Sequence, residues 1–235
     1  MKALSKTTSN AALVWDLPTR LFHWALVACV AGAFVSQWFY ERIPFIVHEV
    51  FGSCALVLIV FRVVWGFVGT RYARFSSFIV GPSQTIRYFY AVIRRQPPTV
   101  TGHTPTGGWM ILSLLALVAA QATLGLFSND DTDAAGPFYG WVGHALSKRL
   151  TGYHEIVANL LLAAIAIHVL AVLFYRVFLK EDLVSALWTG RRSGVPESDS
   201  IRSHRGLLAV LLLMAVGGAL IWLIKIAPPI PEVLM

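Results

Sequence analysis

The chain has 235 residues, 57% of them hydrophobic and only 13% charged, with a mean hydropathy of +0.67. A soluble domain needs far more polar surface than that, so a water-soluble globular class is excluded. The net charge of +7 raises the question of nucleic acid, but the basic residues form no stripe with interleaved aromatics, which argues against it. The two cysteines, Cys29 and Cys54, lie in apolar blocks and in no C-x-x-C or C-x-x-C-H motif. This argues against structural zinc, iron–sulfur ligation and covalently attached haem, and both read as small core residues.

In chain order, Lys2 and Lys6 precede a polar stretch that runs to Arg20. Small residues between Ala28 and Ser36 give the next run the look of a signal peptide. The run continues through Trp38 to Tyr40 and carries His23 at its start, so it reads as a retained first span. Five apolar blocks follow one another: Leu21–Tyr40, Val47–Val68, Gly107–Phe127, Ile156–Phe178 and Leu207–Ile226. Each holds about 20 residues or more, enough for roughly 30 Å of helix. None alternates as a strand would. Gly190–Arg205 is polar and reads as a linker between the first four spans and the last, dividing the chain into 1–192 and 193–235.

The basic residues set an orientation. One side receives thirteen: Lys2, Lys6, Arg20, five from the second loop (Arg71, Arg74, Arg87, Arg94, Arg95) and five after span four (Lys180, Arg191, Arg192, Arg202, Arg205). The other side receives three, Arg42, Lys148 and Arg149. The expected N-terminus is cytoplasmic. The loop Ser128–Tyr153, acidic at Asp130, Asp131 and Asp133, and the tail Ala227–Met235 fall outside. Tryptophans near the span ends read as an interfacial belt.

Four histidines fall in or at the edge of apolar blocks: His23, His48, His154 and His168. Ionisable groups there are costly and mark function by default, although a single one can serve as an interhelical hydrogen bond. His154 and His168 are 14 residues apart on one span. At ~100° per residue they share a face, and they are separated by roughly 21 Å along the axis. One metal cannot bind both, but two stacked sites can. Span one runs outward and span two inward, so His23 opens at the inner level and His48 at the outer. Depth pairs His23 with His168 and His48 with His154. Two histidines per level, from different helices, suit bis-histidine haem iron, whereas structural zinc takes four ligands and catalytic zinc usually three.

Arg62 lies 14 residues after His48 and so sits at the inner level, where it either meets a haem propionate or snorkels to the headgroups. Arg20, one turn from His23, is a second propionate candidate. Glu49 and Glu155 each follow an outer histidine and either support it or mark the water interface. His103 reads as a loop cap that could also pack on the inner haem or line a quinone pocket. His144 is the rival to His154, disfavoured by Gly143 and the Lys148–Arg149 pair, and His204 reads as a solvated flank of span five.

Several stretches together resemble the bacterial di-haem cytochrome b561 family, which includes the b-type subunits of nickel–iron hydrogenases. These are Val14 to Trp24 (VWDLPTRLFHW), Phe61 to Phe75 (FRVVWGFVGTRYARF), Gly102 to Met110 (GHTPTGGWM), and His154 to Leu160 (HEIVANL) followed by His168 to Leu170. The resemblance covers residues 12–192. It implies an all-α integral membrane fold: a four-transmembrane-helix bundle holding two non-covalent haems b on histidines of helices one, two and four. The fifth span lies beyond it, and either recruits a partner or anchors the outer tail.

The expected function is a multi-pass cytochrome b of the bacterial inner membrane. It would pass electrons between the quinone pool and a periplasmic c-type cytochrome or similar protein at the outer face. Filled axial positions favour electron transfer over oxygen binding. Two alternatives stand beside it. One is a superoxide oxidase reducing quinone, with Lys148 and Arg149 attracting the anion. The other is the membrane anchor of a hydrogenase or other dehydrogenase. Oligomeric state is left open.

Overall fold

A computed structural model describes residues 11–131 and 134–229; Lys2, Lys6, Asp133 and the last residues of the C-terminal tail lie outside the described residues. Helix α1 is Leu17–Trp38, α2 Phe45–Val68, α3 Pro82–Ile93, α4 Pro105–Leu126, α5 Tyr139–Phe178, α6 Leu183–Thr189 and α7 Gly206–Ile226. Among the described residues, α1, α2, α4, α5 and α7 are long and apolar enough to cross a membrane. The protein is therefore a multi-pass helical membrane protein.

Local chemistry sets where the helices begin. The Asp16 carboxylate accepts the Thr19 backbone N–H at 2.7 Å and Pro18 sits in the first turn of α1. Thr104 caps α4 in the same way, accepting from the Gly107 N–H at 3.0 Å ahead of Pro105. The Leu17 N–H, one of the donors a helix start leaves unmet, is taken by Nδ1 of His204 at 2.9 Å. His204 is thus a cap on α1, not a solvated flank.

Helix α1 packs along α2, α2 along α4, and α4 along α5. Phe22, Ile59, Phe61, Trp65, Leu115, Val118 and Leu161 form the buried core between them, and α7 adds Ala209 from its seat against α2 and α1. Helix α5 leans on α4 and stands off α1 and α2, which leaves a gap inside the bundle.

Four features differ from the sequence reading. Helix α5 starts at Tyr139, well before the apolar run at Ile156, because nothing after Gly143 breaks the helix and charge does not stop it. Gly143 itself adopts φ +70° and kinks the start. The supposed linker is folded: Arg191–Ser193 pairs antiparallel with Ala11–Leu13, and the Ile201 N–H donates to the Leu13 carbonyl at 2.9 Å. Helix α3 was not foreseen, because its apolar residues are too few for a span. Finally, Trp15 and Trp65 are buried rather than interfacial, while Cys54 is exposed rather than in the core.

Candidate haem-binding site

The gap beside α5 opens into a cavity of about 540 Å³ at the end of the bundle that holds the α1–α2 and α4–α5 connections. That volume falls in the range of cofactor pockets. His48 of α2 and His154 of α5 both line it, with ring centres 6.2 Å apart and planes at 78°. Two imidazoles bonded to one metal from opposite sides, at about 2.0–2.1 Å each, have ring centres roughly 6 Å apart.

The ring orientations are fixed by backbone carbonyls. His48 Nδ1–H donates to the Ala33 carbonyl at 2.9 Å, with Ser36 Oγ at 3.4 Å. His154 Nδ1–H donates to the Gln121 carbonyl at 3.0 Å. Both rings are thereby held as tautomers that carry a lone pair on Nε2, the atom a metal would take; at His154 it meets the Gln121 amide, which a bound metal would displace. The Gln121 side-chain amide donates to His154 Nε2 at 3.0 Å, while its Oε1 is buried without a partner among the described residues. Gly125 allows the α4–α5 approach, since a Cβ there would lie 3.0 Å from His154 Cε1. Glu49 and Glu155 line the same cavity.

The connection above this cavity is tied down. Ser147 Oγ donates to the Phe127 carbonyl at 2.6 Å, and Asn129 N–H donates to Thr151 Oγ1 at 2.9 Å. Asp131 pairs with His144 at 2.8 Å and with Lys148. The Lys148 and His144 hydrogen bonds hold the Asp131 carboxyl below its usual range. His144 is thus engaged away from the cavity.

At the opposite level, Phe22 of α1, next to His23, packs against Phe61 of α2, next to Arg62, with 6.5 Å between ring centres. His168 of α5 lies within electrostatic reach of His23. Arg62 is 2% exposed, with its guanidinium 5.2 Å from the Phe75 ring centre. Asp16 lies near Arg62 but is already occupied, accepting from Trp65 Nε1 at 3.2 Å and from Thr70 Oγ1 as well as from Thr19. His103 is wedged between Trp15 and Phe78, 4.4 and 4.5 Å between centres. Burial, reinforced by the Arg62 charge, pushes its pKa down to about 3, so it is neutral at physiological pH.

Five buried polar atoms at this level have no partner among the described residues: Thr19 Oγ1, His23 Nδ1, Trp24 Nε1, Arg62 Nη1 and His103 Nδ1. Buried polar groups are rarely left unmet, and a buried arginine needs an anion. This donor set fits a group that brings both a metal and carboxylates, as haem does. Arg20 is differently employed: Nε donates to the Leu187 carbonyl at 3.1 Å and Nη2 to the Trp188 carbonyl, closing the end of α6.

The structure thus brings His48 to His154, leaves His168 within electrostatic reach of His23, and buries Arg62 on α2, next to Phe61, which packs on Phe22 beside His23. Sequence reasoning missed Gln121, the buried Asp16 network and the capping role of His204. Gln121 carried a signal, being an amide inside an apolar span. Asp16 and His204 carried none, because their partners are far away in the chain.

The family model described as "Prokaryotic cytochrome b561" matches residues 14–190. Two similar curated proteins are each described as "Probable Ni/Fe-hydrogenase 1 B-type cytochrome subunit", from Escherichia coli K12 and from Escherichia coli O157:H7. Each is 24% identical over 217 residues, covering 77% of this chain and 90% of the relative. No solved structure matches. With the family model spanning most of the chain, and a helical membrane bundle to match it, the protein belongs to the prokaryotic cytochrome b561 family, a family of membrane b-type cytochromes of electron transfer.

Proposed function

We propose that the chain carries two haems b, one on His48 and His154 and one on His23 and His168, and that it passes electrons across the bacterial inner membrane between the quinone pool and a redox partner at the outer face. The observation that carries this reading is the pairing of histidines from α1, α2 and α5 at two levels of one bundle. When bound, haem supplies one-electron redox chemistry.

The chain's own residues do the rest. The Ala33 and Gln121 carbonyls orient the outer imidazoles and raise their basicity. Val30, Phe34, Val118 and Leu161 form the apolar wall of the outer cavity. Arg62, short of a partner at Nη1, neutralises a propionate at the inner level. Helix α5 sets the spacing, carrying its two histidines roughly 21 Å apart along one face. Glu49 and Glu155 line the outer cavity beside the two imidazoles and set its polar side.

The excess of basic residues beside α1, α3 and α7 supports a cytoplasmic N-terminus. A second reading, the membrane anchor of a hydrogenase-like dehydrogenase, draws on the description of the two relatives. The superoxide reading draws less support, since Lys148 is neutralised by Asp131. Mixing the purified full chain with a quinol and following haem absorbance tests the main reading. Rapid reduction is expected. If haem is neither reduced by quinol nor reoxidised by quinone, quinone linkage is lost.

A further inference from the structure

Where α2 ends and α7 begins, a second pocket of about 340 Å³ is lined by hydroxyl and guanidinium groups. Arg71, Arg202 and Arg205 border it together with Ser198, Ser200 and Ser203. Two of these arginines are held in place. Arg71 Nη1 donates to Asp199 Oδ1 at 3.2 Å, and Arg205 Nη1 donates to the Val68 carbonyl at the end of α2 at 2.7 Å. Arg202 makes no hydrogen bond or ion pair among the described residues.

The charge balance is positive. Asp199 offsets Arg71, and two guanidinium charges remain over a set of hydroxyl donors. Guanidinium forks and hydroxyls match the oxygens of a phosphate. The pocket also stands at the boundary of the apolar spans, where basic clusters meet lipid headgroups. Directly below it, Leu207, Val210 and Leu211 on the first turns of α7 are exposed apolar side chains, a surface suited to acyl chains.

We propose that this pocket binds a phosphate group: the headgroup of an anionic phospholipid, or free phosphate. The site is separate from the histidine pairs and does not depend on the haem reading. Its backbone frame is the ordered segment that pairs with the N-terminal strand, with Tyr72 OH donating to the Asp199 carbonyl at 3.0 Å.

The test is binding to the purified full-length protein, wild type against Arg202→Gln, with Arg149→Gln on the opposite side as control. The probes are phosphatidylglycerol, phosphatidylcholine and inorganic phosphate, read by native mass spectrometry and by displacement of a labelled phosphatidylglycerol. Circular dichroism and a single size-exclusion peak in detergent check that each variant is folded. Arg202→Gln is expected to lose roughly tenfold or more in affinity, the worth of one charge-assisted hydrogen bond, while Arg149→Gln loses none. Phosphatidylglycerol binding that phosphatidylcholine and inorganic phosphate do not displace identifies a lipid site. Inorganic phosphate binding that Arg202→Gln abolishes, with no preference for phosphatidylglycerol, identifies a free-phosphate site. Equal binding of every probe to wild type and to folded Arg202→Gln overturns the proposal.

Discussion

At the scale of single residues, the inner level is organised by what Arg62 and His103 lack. Arg62 is 2% exposed, its Nη1 has no partner among the described residues, and the nearby Asp16 carboxylate is spent on Thr19, Trp65 and Thr70. Its charge therefore favours the reduced state of whatever redox group sits beside it. Arg62→Gln is expected to lower the midpoint potential of the inner haem and leave the outer one in place, as read by redox titration. Each 1.4 kcal/mol of lost interaction is worth roughly 60 mV for one electron.

His103 gives a pH prediction. Its folded pKa of about 3 lies below its ordinary value of 6.5, so the unfolded chain takes up the proton first as pH falls. Its contribution to stability is full above about pH 6.5 and shrinks as pH drops towards about 3. Thermal melts in detergent should show Tm falling more between pH 7 and pH 5 in wild type than in His103→Asn. Parallel slopes would remove His103 from the account.

At the scale of elements, the outer cavity depends on α5 leaning on α4 and away from α1 and α2. Gly125 is the contact that permits this. Gly125→Val would press on His154, whose Cε1 lies 3.0 Å from where a Cβ would stand. The expected result is loss of the outer haem with the inner one retained, seen as the disappearance of one wave in a redox titration. Retention of both waves would show that the α4–α5 approach tolerates a side chain.

This is also where the sequence was legible and where it was not. The 14-residue spacing of His154 and His168, and the opposed directions of spans one and two, were enough to anticipate the His48–His154 contact seen in the folded chain. Hydropathy located the five spans, because a long apolar run has one low-energy place in a bilayer. It misjudged the start of α5, since Tyr139–Tyr153 is helical but polar. It also missed the Ala11–Leu13 and Arg191–Ser193 ribbon and the His204 cap, which join residues about 180 positions apart. Short strands and caps of that kind are set by tertiary packing and leave little periodic trace.

At the scale of the whole molecule, α7 is an outrigger: it packs on α2 and α1 through Ala209, Leu212 and Leu213 and takes no part in the histidine pairs. A chain ending at His204 keeps the His204 cap on α1, the N-terminal ribbon, the His103 wedge and all four haem-ligand candidates. It is expected to retain both haems with a lowered Tm, because the α2 surface under Ala209 is uncovered. Loss of haem on this truncation would make α7 part of the binding bundle.

The central claim concerns stoichiometry, and haem content per polypeptide measures it directly. The purified full chain, assayed for haem b against protein by quantitative amino-acid analysis, should contain two haems. His48→Ala and His154→Ala should each fall to one and lose the same redox wave, with His23→Ala and His168→Ala each losing the other. A wild-type chain that holds one haem, or a redox wave lost jointly by His48→Ala and His23→Ala, would contradict the two-level arrangement.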